Sequence, residues 1–380
     1  MFGKRIKLFR LLGFEVRIDL SWLFLGLLVA WSLAHGLFPF FVPDLTLAQY
    51  WTMAVAGVIG LLVSIVLHEF CHSIVARRYG MPIDGITLFI FGGVAEMEDE
   101  PPSAKAEFMM AAAGPIASAV LAWGFFQLSA LSGALGLPPT VAGVILYLAY
   151  LNLLLAVFNV IPAFPLDGGR ILRSILWGVR KDLDWATRIA VQIGAGFGWV
   201  LVVLGIWAIL SGNPVGGVWW ILIGLFLRMA AHGSYRQMKV RERLKGVPVQ
   251  SLMDRYPVRV PADTSLSDLA NRFSQGYPHT MFPVVEEDRL VGCIDANLPK
   301  RVPRAEWNER TVMDYAHGCP VEESLTPDSD AESALSAMSR RGDQLLMIVE
   351  HGILRGTLSL ADLRRRVTLD SDGNEQHWRA

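Results

Sequence analysis

Charge is scarce in this chain. Only 18% of its 380 residues are Asp, Glu, Lys or Arg, 53% are hydrophobic, and the mean hydropathy is +0.39. Such a composition excludes an ordinary soluble protein of this length and points to a polytopic membrane protein with a soluble part. Cysteine is also sparse. Cys71, Cys293 and Cys319 lie far apart, which gives no disulfide framework and suits reducing surroundings for the soluble part. A small-residue cleavage site is missing after the basic N-terminus of Lys4, Arg5, Lys7 and Arg10. The first apolar segment therefore reads as a retained span, not a signal peptide. The net charge of −1 excludes little, because the charges are segregated along the chain. No nucleic-acid partner is expected.

What is present in abundance is long apolar stretches. Six spans can be argued, at roughly 20–41, 51–77, 106–132, 139–161, 187–211 and 214–233. Gly212-Asn213-Pro214 separates the last two with a turn signal. Four basic groups (Lys4 to Arg17, Arg77-Arg78, Arg170 to Lys181, Arg236 to Arg243) fall on one side of this arrangement. The loops near 42–50, 133–138 and 212–213 carry almost no Lys or Arg. By the positive-inside rule, both termini are expected in the cytoplasm of a multi-pass cell-membrane protein.

The second span holds an anomaly. No residue from Ala54 to Leu67 is charged, then His68-Glu69-Phe70-Cys71-His72 arrives, and the run is apolar again to Ala76. Ionisable groups at membrane depth are costly and mark a functional site. Residues i and i+4 share a helix face, so His68 and His72 can point two imidazoles at one ion. Glu69 lies about 100° round the helix from His68, placed to touch a metal-bound water. Alone, the string is a hypothesis. Two merely structural histidines, however, would leave three polar groups facing hydrocarbon. Cys71, about 100° back from His72, reads as a small buried thiol.

A catalytic zinc site needs a third protein ligand and an open position. Pro162 and Pro165 end the fourth span, and the freed loop presents Asp167 just before Gly168-Gly169. Asp167 could N-cap a helix over Arg170 to Gly178, or it could be the third ligand. Topology favours the ligand. His68 lies nine residues before Arg77, about 14 Å from that end of its span, and Asp167 sits at the same end of the fourth. Asn159 could aim an amide at substrate or a developing oxyanion, or make an inter-helix hydrogen bond. Glu69 would take the proton of a zinc-activated water and return it to the leaving amine.

After Gly246 the composition turns soluble and repeats itself. Val249 to Asp254 is echoed by Arg310 to Asp314. Each is followed by a helical stretch (Ser265 to Gln275, Asp330 to Arg341) and then a β-like run (Met281 to Gly292, Gln344 to Gly356). Two such units suggest a pseudo-symmetric domain. The polar tail predicts disorder.

These residues together resemble the site-2 protease family of intramembrane zinc metalloproteases, in its six-span branch with CBS domains. The resemblance rests on His68-Glu69-xx-His72, on Asn159-xx-Pro162-xx-Pro165-Leu166-Asp167-Gly168 and on the tandem repeat. Phe91-Gly92-Gly93 and Ala112-Ala113-Gly114-Pro115 match further landmarks. It implies one Zn2+ per chain on His68, His72 and Asp167, with Glu69 and Asn159 as the catalytic residues. Implied partners are membrane lipid and a single-pass membrane substrate, such as an anti-sigma factor or membrane-tethered regulator. Ile83 to Met97 would pair with that substrate as a strand.

Residues 247–367 resemble paired CBS domains, which implies an adenine nucleotide between the repeats and permits a homodimer. Ser359 and Asp362 match the ribose-binding pattern, whereas the first repeat has Leu298 where Asp is expected. The same pair would serve as a capping box. The expected fold class is a polytopic α-helical membrane domain (1–246), a soluble α/β tandem CBS domain (247–367) and a disordered tail (368–380). A CBS-gated metal-ion transporter is the alternative from another class, although its characteristic repeat of spans is not found.

Overall fold

A backbone in hydrocarbon must satisfy its own N–H and C=O groups, so the apolar stretches can only be helical. The computed structural model describes residues 5–81, 83–89, 92–97, 100–273, 281–295, 297–316, 325–341 and 345–365. Phe91, Cys319 and the tail 368–380 lie outside the described residues. The chain divides into two compact units, Met1–Tyr235 and Arg236–Ala380.

Among the described residues, six helices are long and apolar enough to cross a membrane. The first comprises α1 (Leu20–Ser32), a π-turn (Leu33–Leu37) and α2 (Phe38–Phe41). The others are α3 (Leu47–Arg78), α4 (Ala104–Leu131), α5 (Pro139–Val160), α7 (Leu183–Leu210) and α8 (Pro214–Leu244). A shorter helix, α6 (Asp167–Arg180), follows the proline turn after α5. Caps set the starts. Asp19 accepts from the Ser21 N–H, Thr46 and Gln49 form a capping box, Ser103 accepts from Ala106 N–H and Asp182 from Trp185 N–H. The Asp182 cap starts α7 at Leu183, four residues before the expected 187. The sixth helix outruns its expected end at 233 and continues to Leu244. There the sequence loses hydropathy but keeps helix formers, with Arg241 and Arg243 favouring the C-terminal dipole end. The buried Asn152 amide donates at 2.9 Å to Ser64 Oγ of α3, joining two spans, and at 2.9 Å to the Leu148 carbonyl of its own helix.

The basic N-terminal segment, expected only as a charged loop, forms two strands. β1 (Arg5–Leu11) and β2 (Phe14–Asp19) pair antiparallel round Leu12 and Gly13, both with positive φ. β2 then pairs in parallel with β3 (Ile83–Phe89), and β3 pairs antiparallel with β4 (Gly92–Met97). The order β1-β2-β3-β4 leaves β4 at an edge. Phe14, Val16 and Ile18 alternate inward, and with Ile86 and Leu88 they pack on Trp22, Val66 and Phe70. Val66 and Phe70 flank His68 in sequence, so the sheet braces the back of the motif helix. Arg77 pins the hairpin. Its guanidinium lies 3.7 Å from the Phe14 ring centroid and donates to the Leu12 carbonyl at 2.8 Å.

In the second unit each expected β-run resolves into a hairpin. β6 (Met281–Glu286) and β7 (Arg289–Asp295) turn at Glu287 and Asp288; β8 (Leu345–Glu350) and β9 (Ile353–Ser359) turn at His351 and Gly352. All four turn residues have positive φ, the signature of hairpin turns that match strand twist. With β5 (Val260–Pro261) they form one sheet of order β5-β6-β7-β9-β8. The helical pieces are α9 (Leu266–Asp268), its π-turn continuation to Phe273, and α10 (Ala331–Arg341). Val240 and Leu244 join a core with Val249, Ile348 and Leu358. Cys293 is disulfide-bonded, against the expectation from cysteine spacing.

Candidate metal centre

The centre begins with a helical face. His68 and His72 lie one turn apart on α3, both buried, and their Nε2 atoms are 3.2 Å apart. Asp167 arrives from α6. Its Oδ2 lies 3.1 Å from His68 Nε2 and 3.2 Å from His72 Nε2.

Leu166, not Asp167, is the N-cap of α6. The Asp167 carboxylate is therefore spared from capping and turns to the histidines. The turn that presents it is tight. A β-carbon on Gly168 would lie 2.2 Å from the Val160 carbonyl oxygen, and one on Gly169 would lie 2.3 Å from Phe164 N. Only glycine lets α6 begin this close to the end of α5.

Each imidazole is fixed from behind by α4. His72 Nδ1 donates to the Met110 carbonyl at 2.7 Å, and His68 Nδ1 lies 2.9 Å from Ser118 Oγ. A carbonyl can only accept, so the Nδ1 of His72 carries its proton and the Nε2 of the neutral ring offers a lone pair. With His68 in the same tautomer, three lone-pair donors face one another across 3.1–3.2 Å. Unshared, that arrangement is repulsive; a cation reconciles it. Tetrahedral zinc with bonds of about 2.0–2.1 Å would set its ligand atoms about 3.3 Å apart, so the triangle fits zinc closely.

Gly114 faces the same point. A β-carbon there would sit 2.2 Å from His72 Nε2 and 2.6 Å from His68 Nε2. In the sequence it stood out only as a landmark, and nothing in its spacing tied it to the histidines. Ser118 carries a weak signal as a polar residue one turn further along an apolar helix. Met110 acts through its backbone and has no signal at all.

Glu69 is half-buried and follows His68 directly on α3. Cys71 is a free thiol, half-buried where full burial was expected, and is not among the converging donors. Asn159 lies half-buried in the last turn of α5, beside the Val160 carbonyl that crowds Gly168. Among the described residues it makes no hydrogen bond to the His–His–Asp cluster. In the second unit, Ser359 and Asp362 bond each other. Asp362 accepts from the Ser359 N–H at 2.9 Å, and Ser359 Oγ accepts from the Asp362 N–H at 3.2 Å.

Comparison with known proteins fits this arrangement. Models of peptidase family M50 match residues 56–136 and 127–201, and a CBS-domain model matches 249–297. Zinc metalloprotease MJ0392 of Methanocaldococcus jannaschii is 31% identical over 96% of this chain and 96% of its own length. Rip3 of Mycobacterium tuberculosis, whose name marks it a candidate zinc metalloprotease, is 32% identical over 95% of this chain and 92% of its own. The chain belongs to the site-2 protease family. A solved site-2 protease from M. jannaschii is 31% identical, covers 60% of this chain and 94% of its own, and superposes with a TM-score of 0.42. As a site-2 protease, the chain is a multi-pass membrane zinc metallopeptidase that cleaves membrane-bound substrates. The transporter alternative is set aside by that membership. The family model for CBS matches the first repeat alone, while the sheet topology displays both.

Proposed function

We propose that this site-2 protease cuts single-pass membrane proteins, such as an anti-sigma factor or membrane-tethered regulator, near the cytoplasmic leaflet. His68, His72 and Asp167 hold zinc, with Glu69 and Asn159 acting on water and substrate. The observation that carries the reading is the meeting of Asp167 Oδ2 with the Nε2 atoms of His72 and His68, 95 and 99 residues earlier in the chain. Bound there, zinc supplies a Lewis acid that lowers the pKa of a water and polarises a carbonyl. The chain's own residues do the rest. Ser118 and the Met110 carbonyl hold the imidazoles in orientation, Glu69 takes the water's proton and delivers it to the leaving amine, and Asn159 steadies the substrate carbonyl. The edge strand β4 holds the substrate extended by strand addition, since a helical substrate hides its peptide bonds. The basic loops support an orientation with both termini in the cytoplasm.

Residues 1–246 form the protease and 247–367 the regulatory CBS pair in this reading. An adenine nucleotide at Ser359 and Asp362 tunes cleavage, and the pair provides the surface for a homodimer. Co-expression of the full chain with a single-pass reporter tests the core proposal. Wild type should release the reporter's cytoplasmic domain, while Glu69→Gln should release none and keep its zinc. Wild-type turnover by Glu69→Gln would sink the assignment. For the nucleotide, ATP or AMP titrated onto the full chain should shift its thermal midpoint in wild type and not in Asp362→Ala.

A further inference from the structure

Three helices build the metal centre, yet only two supply its donors. α4 contributes none and touches both histidines. One face of α4 runs Glu107, Met110, Gly114, Ser118, at spacings of three and four, so these residues form a single row. Ser118 holds His68, Gly114 crowds both Nε2 atoms, and Met110 holds His72. The row continues past the histidines. Its last member, Glu107, is fully buried and receives the Arg173 Nε–H of α6 at 2.6 Å.

Arg173 is only 6% exposed. It stands six residues after Asp167, about 9 Å along the same short helix. Its guanidinium lies 5.4 Å from the Phe164 ring centroid, in the turn before α6, and 3.7 Å from Glu100, which leads into α4. Gly169, one turn earlier, abuts the backbone of that same Phe164. A buried charge is tolerated only when paired and hydrogen-bonded. The guanidinium therefore cannot slide away from Glu107 without stranding both charges, and its planar fork fixes angle as well as distance. This holds α6 to α4 in one register, and the first residue of α6 is Asp167.

We propose that Arg173 is a positioning residue for the metal centre: its buried pairing with Glu107 sets where Asp167 Oδ2 meets His68 and His72. This rests on the metal reading above. The pair touches no donor atom, so its effect travels through the seating of α6.

Zinc affinity of the full chain in nanodiscs, measured by competition with a fluorescent chelator, tests this alongside the visible spectrum of the Co2+-loaded protein. Arg173→Lys keeps the charge and loses the fork. It should bind zinc about tenfold or more weakly and shift the cobalt bands, while its chelator-treated thermal midpoint stays near that of wild type. The exchanged pair Glu107→Arg with Arg173→Glu should recover most of the affinity lost by Arg173→Met. Wild-type affinity and cobalt bands in Arg173→Lys would overturn the proposal. So would failure of every Arg173 variant to fold, which would make the pair a folding element. If instead the wild-type chain holds no zinc, or His68→Ala keeps it, the metal reading is what fails.

Discussion

Gly114 stands so close to His72 that a β-carbon on it would lie 2.2 Å from Nε2. The space a side chain would take there belongs to the two imidazoles; in mid-helix, Ala would otherwise be favoured by up to about 1 kcal/mol. Gly114→Ala should therefore leave helical content unchanged and remove most of the bound zinc. Metal analysis of the purified protein against its circular dichroism checks both halves. Full zinc occupancy would contradict the close approach.

Asp167 and the N-cap of α6 are separable. Because Leu166 holds the cap position, Asp167→Ala should forfeit zinc without the loss of about 1 kcal/mol that removing a capping side chain brings. Thermal unfolding in excess chelator is the decisive measurement. A large drop in the metal-free midpoint would return Asp167 to the capping role.

Arg77 does more than mark the basic side of the membrane. It grips the β1–β2 hairpin through the Phe14 ring and the Leu12 carbonyl. A cation–π contact and one hydrogen bond to a charged donor together contribute about 2–3 kcal/mol. Arg77→Ala should accelerate limited proteolysis between Leu11 and Phe14, with Arg77→Lys intermediate because it loses the fork but keeps the charge. Equal cleavage rates in all three would show that the sheet alone holds the hairpin.

Ser359 caps the helical turn that follows β9 through its exchange with Asp362. Ser359→Ala should cost about 1 kcal/mol in the second unit, read as a lowered midpoint of its unfolding transition. With a nucleotide seated there, the drop should be larger in the presence of ATP or AMP, and equal drops would confine Ser359 to capping. A drop seen only with nucleotide present would assign Ser359 to the ligand.

The legible parts of this protein were those written in one-dimensional patterns. His68 and His72 announce a shared face by spacing, and the six spans announce themselves by length. The β1–β2 hairpin was hidden by its charges. Its alternation of Phe14, Val16 and Ile18 is as regular as any strand's, but Lys7, Glu15 and Arg17 around it read as a solvated loop until they are seen paired. The capping role of Asp167 could not be excluded from sequence, because the cap position depends on where the prolines release the backbone. Met110 and Gly114 were beyond reach for different reasons. One acts through a backbone carbonyl that every residue possesses; the other acts by lacking an atom. Pairing Arg173 with Glu107 required knowing that α6 crosses α4, a fact held by no local stretch of chain.

The distance in sequence between His68 and Asp167, 99 residues, has a bearing on how the protein is made. A growing chain places its histidines and Glu69 in the membrane, then completes two further spans before the third donor exists. In the proposed reading, Glu69 stands through that interval beside an incomplete ion site. On the proposed assignment, peptide hydrolysis becomes available only once α6 has seated against α4, when the helices that make up the site are already assembled around it.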